Sequence, residues 1–159
     1  FQDTVDFDPG AGTSILTSTG ISDIFVSKLD AAGNYIWAKS MGGASWDFST
    51  SIAVDGSGNI HTTGIFSDTV DFDPGAGISN LISLGTNDMF ISKLDSLGNY
   101  LWAKRIGGTV EPLGQDIANS IAMDRSGNVY TTGEFIGNVD FDPGTGSTIL
   151  TSFLQKDVR

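Results

Sequence analysis

Apolar residues fall in short runs along this chain, each run closed by a turn of small polar residues. Residues 23–29 (DIFVSKL) and 35–40 (YIWAKS) are β-branched and aromatic runs joined by DAAGN at 30–34, which predicts two strands and a tight turn of the Asp/Gly/Asn kind. Residues 51–54 and 60–66 make a second such pair around DGSGN at 55–59. A less regular stretch, 70–84, links that pair to the next run and predicts one or two short strands. Alternation within the runs is poor. Ile24, Phe25 and Val26 stand together, as do Tyr35, Ile36 and Trp37. A sheet with one solvated face alternates cleanly, so these strands read as covered on both faces. Gly42 and Gly43, like Gly107 and Gly108, follow strand runs and read as turns.

The pattern is periodic. The run TVDFDPGAG at 4–12 recurs intact at 69–77, and NVDFDPGTG follows at 138–146, giving offsets of 65 and 69 residues. DIFVSKLD at 23–30 returns as DMFISKLD at 88–95, GNYIWAK at 33–39 as GNYLWAK at 98–104, and SIAVDGSGN at 51–59 as SIAMDRSGN at 120–128. The extra four residues of the second spacing fall between Gly108 and Ser120. The units run over 1–65 and 66–134, with a partial third at 135–159. Each unit predicts about four strands in hairpin order. Small repeated sheets that need cover on both faces describe blades stacked about an axis, so the chain is expected to be all-β, with four-stranded antiparallel β-propeller blades. A right-handed β-solenoid is the alternative, although its rungs are usually much shorter. Two periods and a remainder cannot close a ring, and both ends cut through the repeat. The expectation is an incomplete propeller: a piece of a longer polypeptide, or one of several copies that complete one another's blades.

The residues VSKLD-x-x-GN-x-x-WAK-x-x-GG at 26–43, followed by SIAVD-x-x-GN-x-x-x-TG at 51–64, resemble the bacterial β-propeller repeat called SBBP. The VDFDPG variant is similar to repeats in large secreted proteins of environmental bacteria. The resemblance covers essentially the whole chain. It implies a propeller fold and an extracellular or cell-surface location in a bacterium, and it implies little about activity. A weaker likeness to the Asp-box hairpin of sialidase-type propellers fails on spacing, because the step from Asp30 to Gly33 is three residues where the Asp box has two.

Charge narrows the partners. With 19 Asp and Glu against 8 Lys and Arg, the net charge of -11 argues against nucleic acid or an anionic membrane surface. No apolar run approaches the ~18 residues of a membrane-inserted helix. The absence of Cys removes disulfides, thiolate metal sites and Cys nucleophiles together.

The repeated acids are the first candidates for chemistry. Asp6 and Asp8, with their equivalents Asp71, Asp73, Asp140 and Asp142, sit two apart before Pro-Gly. Carboxylates at i and i+2 on an extended segment point the same way, and a loop that returns over them could add carbonyls to an oxygen shell for Ca²⁺. The simpler reading is that Asp-Pro-Gly only makes the turn. No cofactor is required on either reading. Asp30, Asp55, Asp95 and Asp124 each open an Asp-x-x-Gly-Asn turn and read as structural.

An active site needs different groups converging once, so residues that break the repeat carry the catalytic question. His61 (Tyr130 in the next unit), Trp46, Glu111 and Glu134 do so. His61 reads as a half-exposed strand residue, and none of the four has a sequence neighbour that makes a nucleophile–base or acid pair. No enzyme is expected. Trp37 and Trp102, with Tyr35 and Tyr100, read as packing between blades, with a sugar platform as the alternative. The inserted loop at 109–119, carrying Glu111, Pro112 and Asp116, is the candidate for binding a protein or glycan ligand. The expected function is a non-catalytic extracellular module, structural, adhesive or protein-binding, whose partners are further blades of the same polypeptide or other copies. A lectin-like propeller is the alternative.

Overall fold

The computed structural model describes residues 1–109 and 116–152. Over these residues the chain is all-β, in fourteen strands. In chain order they are β1 (Thr4–Asp6), β2 (Ile15–Thr17), β3 (Ile24–Leu29), β4 (Tyr35–Gly43), β5 (Phe48–Val54), β6 (Ile60–Phe66) and β7 (Thr69–Asp71). There follow β8 (Asn80–Ile82), β9 (Asp88–Leu94), β10 (Tyr100–Ile106), β11 (Ile117–Met123), β12 (Val129–Glu134), β13 (Gly137–Asp140) and β14 (Ile149–Ser152).

The long hairpins are set by local chemistry. In the turn between β3 and β4, Asp30 Oδ1 accepts the backbone N–H groups of Ala32 (2.8 Å) and Asn34 (2.9 Å), and Asn34 Nδ2 donates to Asp30 Oδ2 (2.8 Å). Gly33 takes φ +84°, a conformation that favours glycine. The same bonds recur at Asp55, Asp95 and Asp124.

The best-formed sheet has four antiparallel strands in the order β10-β9-β6-β5, a meander of strands taken in sequence order. The chain leaves this sheet between β6 and β9 to make the short hairpin β7–β8, the VDFDPG insert. That hairpin does not pair with its own blade. It adds to the preceding sheet, β3-β4-β7-β8, through Gly42↔Asp71 and Gly43↔Val70. The Gly pairs expected to be turns are therefore partly strand: Gly42 and Gly43 end β4, and Gly107 bridges to Asp140 one unit later. They lie where a second hairpin must approach closely, which a side chain would obstruct.

Between the sheets lies the core. Ile24, Val26 and Met41 of one blade meet Ile60, Phe66, Phe90 and Leu94 of the next, with Val70 and Phe72 of the insert hairpin between them. The following junction repeats the arrangement with Met89, Ile106, Val139, Phe135 and Phe141. The aromatic geometry repeats too: ring centroids of Phe72 and Phe90 lie 4.9 Å apart at 47°, and those of Phe7 and Phe25 lie 4.9 Å apart at 46°. Cover on both faces holds for β6 and most of β9, which are buried along nearly their whole length. The edge strand β5 instead exposes alternate residues such as Ile52 and Val54.

Trp37 packs, partly buried, against the first core, and Trp102 is half-buried with its ring edge-on to His61 at 5.9 Å. Tyr35 and Tyr100 use their hydroxyls to accept the N–H groups of Ala38 (2.9 Å) and Ala103 (3.0 Å) and to meet Ser14 and Ser79 of the insert hairpins. Both aromatic sets serve packing between hairpins.

Phe72 is 0% exposed. Phe72→Ala is expected to cost about 3–5 kcal/mol, seen as a lower urea midpoint at unchanged slope. Ile78→Ala, at an exposed position of the same insert, should stay within about 0.5 kcal/mol.

Candidate functional site

The acidic hairpins divide their side chains by the two-residue period of an extended chain. Val70 and Phe72 point into the core, whereas Asp71 and Asp73 turn back on their own loop. Asp71 Oδ1 accepts the N–H groups of Asp73 (3.0 Å) and Ser79 (2.8 Å), and Asp73 Oδ1 accepts that of Gly75 (2.8 Å). The other copies match: Asp6 takes Ser14 (2.8 Å) and Asp8 (3.0 Å), and Asp140 takes Thr148 (2.8 Å) and Asp142 (3.0 Å). Asp8 and Asp142 accept the N–H groups of Gly10 and Gly144. These donors hold the carboxyls of Asp6 and Asp140 below their ordinary pKa, Ser14 and Thr148 contributing most. The six candidate calcium ligands thus form three turns. Among the described residues, no group of three or more His, Asp or Glu side chains converges in a way that could hold a metal ion.

A second acidic set lies deeper and escaped the sequence reading, apart from Asp116. Asp23, Asp47, Asp88 and Asp116 are all buried, one pair at each blade junction. Asp47 Oδ2 accepts the N–H of Gly43 (2.8 Å) and Oδ1 that of Ser67 (3.2 Å), joining the end of one blade to the start of the insert. Burial pushes the Asp47 carboxyl up to about 6, against these backbone donors and with the charges of Asp23 and Asp68 adding to the rise. Asp116 repeats this geometry more loosely, at 3.3 Å from Gly108 N and 3.4 Å from Ile136 N, and burial raises its pKa as well. It is 5% exposed, so its carboxylate serves the backbone rather than the loop surface. Glu111 and Pro112 lie outside the described residues. Asp88 accepts the N–H of Leu84 (3.0 Å) and is paired with Arg105 Nη1 at 2.7 Å. A Cβ at Gly107 would come within 2.2 Å of the Asp88 carboxyl carbon, and one at Gly42 within 2.2 Å of that of Asp23, which is why glycine stands beside these two acids. Two signals could have found them: each pair repeats, and Asp23 and Asp88 begin otherwise apolar runs.

His61 corrects another expectation. It is 1% exposed, because β6 is a central strand covered on both faces. Its Nε2 lies 3.5 Å from Asp55 Oδ2, which Lys93 Nζ also approaches at 3.2 Å. Desolvation lowers the His61 pKa, and donors led by the Asn59 side chain hold Asp55 well below the carboxylate range. Tyr130, its repeat equivalent, donates to Asp124 Oδ2 at 3.1 Å. Both residues steady an Asx turn. Trp46 is 45% exposed and stacked on Phe48 (5.7 Å, 18°), and Glu134 is exposed at the end of β12.

Opposite pKa shifts give stability a maximum in acid. Asp47, folded, keeps its proton up to about 6 rather than 3.8, so its preference for the folded state is full below 3.8 and is lost as pH rises towards 6. Asp30, Asp55, Asp95 and Asp124 are lowered from 3.8, so they favour the folded state above that value and lose the effect below it. Thermal melts in pH steps should peak near pH ~4 and decline towards ~6, and Asp47→Asn should flatten the upper limb. Melts in moderate salt with Ca²⁺ or with chelator are expected to share one midpoint. A calcium site in these turns would instead add about 2.7 kcal/mol at a hundredfold excess over Kd.

Comparison with known proteins agrees with this architecture. Residues 101–138, from β10 to β13, match the family described as SBBP, a beta-propeller repeat. An uncharacterized WD repeat-containing protein of Acanthamoeba polyphaga mimivirus is 31% identical over 144 residues, covering 84% of this chain and 10% of its own length. The regulatory protein FlaEY of Caulobacter vibrioides is 30% identical over 142 residues, covering 87% of this chain and 14% of its own length. The chain therefore spans only about a tenth to a seventh of these relatives. The matched stretch has its counterpart one unit earlier, at residues 36–69, and folds into stacked antiparallel sheets, and the chain is built of SBBP-type β-propeller repeats.

Proposed function

We propose that the chain is a non-catalytic, extracellular interaction module, structural or adhesive, that works as part of a larger polypeptide or assembly. The observation that carries this reading is where the repeated residues are spent. The phenylalanines, the buried acids and the Asx-turn carboxylates all bond or pack within and between blades. Variable side chains such as Leu97 and Ile78 stand exposed at the turns and insert loops. A scaffold with an invariant interior and variable rims serves recognition better than chemistry. The relatives support an interaction role by name: one is a WD repeat-containing protein and the other a regulatory protein.

The test is to fractionate cells that make the intact parent protein and to probe the same protein on a glycan array. The expected outcome is protease-accessible protein at the surface or in the medium, with no sugar-specific signal. Reproducible binding of one glycan class would move the assignment to a lectin, and intracellular protein would remove the extracellular part.

A further inference from the structure

Internal repetition supplies a control for each junction, and the two acid pairs are not neutralised alike. At the second junction, Arg105 on β10 reaches the fully buried Asp88 and closes a charge-assisted bond at 2.7 Å. Its positive field also extends to Asp140 of the adjoining insert hairpin, where it adds to the effect of the Thr148 and Asp142 donors. At the first junction, the position equivalent to Arg105 is Ser40. The acids that Arg105 serves have their counterparts there in Asp23 and Asp71.

What Ser40 leaves behind is a cleft of about 220 Å³, lined among others by Thr19, Asp23, Ser40, Asp71, Asp73 and Gly75. Asp23 is only 2% exposed. Its carboxylate accepts the N–H of Thr19 at 2.9 Å and, more weakly, that of Gly20 at 3.4 Å, which solvates the charge without cancelling it. Among the described residues the ion pairs are Lys93 with Asp55, which His61 also approaches, and Arg105 with Asp88, so Asp23 has none. A buried carboxylate without a counter-charge is costly, and here the missing group can enter from solvent because Thr19 and Gly75 at the rim are exposed.

We propose that this cleft binds the guanidinium of an arginine side chain presented by a partner protein, in the place that Arg105 fills from within at the next junction. A guanidinium suits the cleft better than a metal ion. The inward-turned oxygens of Asp71 and Asp73 already accept backbone N–H bonds, and no three carboxylates converge on one point. A flat, weakly hydrated fork can instead bond Asp23 at depth while lying between the rim carboxylates. The site stands independently of the scaffold role proposed above, since a surface module and an intracellular one could carry it equally.

The experiment is calorimetric titration of the whole chain with Nα-acetylarginine amide, Nα-acetyllysine amide and free L-arginine. The native chain should bind one equivalent of the arginine amide, and the lysine amide should bind about tenfold more weakly for want of a fork. Ser40→Arg should abolish binding. Arg105→Ser should add a second equivalent and melt lower, with the lost midpoint restored by saturating arginine amide. That gain in stoichiometry decides the matter even if Ser40→Arg does not fold. Absence of binding, equal affinity for the arginine and lysine amides, or unchanged binding in folded Ser40→Arg would overturn the site. Displacement by equimolar Ca²⁺ would reassign it to a metal, and tighter binding of free L-arginine than of the blocked amide would reassign it to a small molecule.

Discussion

A small sheet whose strands are apolar on both sides cannot stand alone in water. It has to be sandwiched, and each blade of this protein is completed by material from its neighbour. The device is the VDFDPG hairpin, which leaves its own blade between the second and third strands and pairs with the last strand of the blade before it. Backbone pairing at Gly42 and Gly43 sets the hairpin's place, and Val70 and Phe72 then enter the junction as a plug. Covalent continuity and packing thus run in opposite directions along the stack. Neighbouring blades cannot separate without opening both a ladder and a core, which makes the junction the cooperative unit rather than the blade.

Polar chemistry follows from the same crossing. Where the hairpin enters and leaves, backbone N–H groups are turned into the interior, and buried polar groups have to be paired. Asp23, Asp47, Asp88 and Asp116 meet that demand with carboxylates, which accept several donors at once but bring charge into a dry place. One junction neutralises the charge with Arg105 and the other does not. Repeats that share a backbone can therefore differ in electrostatics, and a single side chain on the strand before the hairpin makes the difference.

Strand positions, Asx turns and the repeat were legible in the residues because each rests on local rules: β-branched and aromatic runs, Asp-x-x-Gly-Asn spacing and self-similarity. Stacked antiparallel blades followed from the need for cover on both faces. The candidate sites were legible only where they were local. That Asp6 with Asp8, and their equivalents, make a turn could be read from Asp-Pro-Gly, and the structural role of Asp30 and its equivalents from Asp-x-x-Gly-Asn.

Partnership between distant segments carried no local mark. Nothing near Gly42 announces that it is a strand residue facing Asp71, 29 positions on, because its reason for being glycine is a carboxylate and a hairpin from elsewhere in the chain. His61 looks like any polar strand residue until β9 closes over one side of β6 and the neighbouring blades over its faces. Asp116 follows directly on the extra residues of the second unit and reads as part of that loop, yet its carboxylate is needed inward by Gly108 and Ile136. Residue type and spacing specify what a segment can form by itself. Burial, charge pairing and the space left by Ser40 depend on which segments come to lie side by side, and that is settled by the shared free energy of the junction.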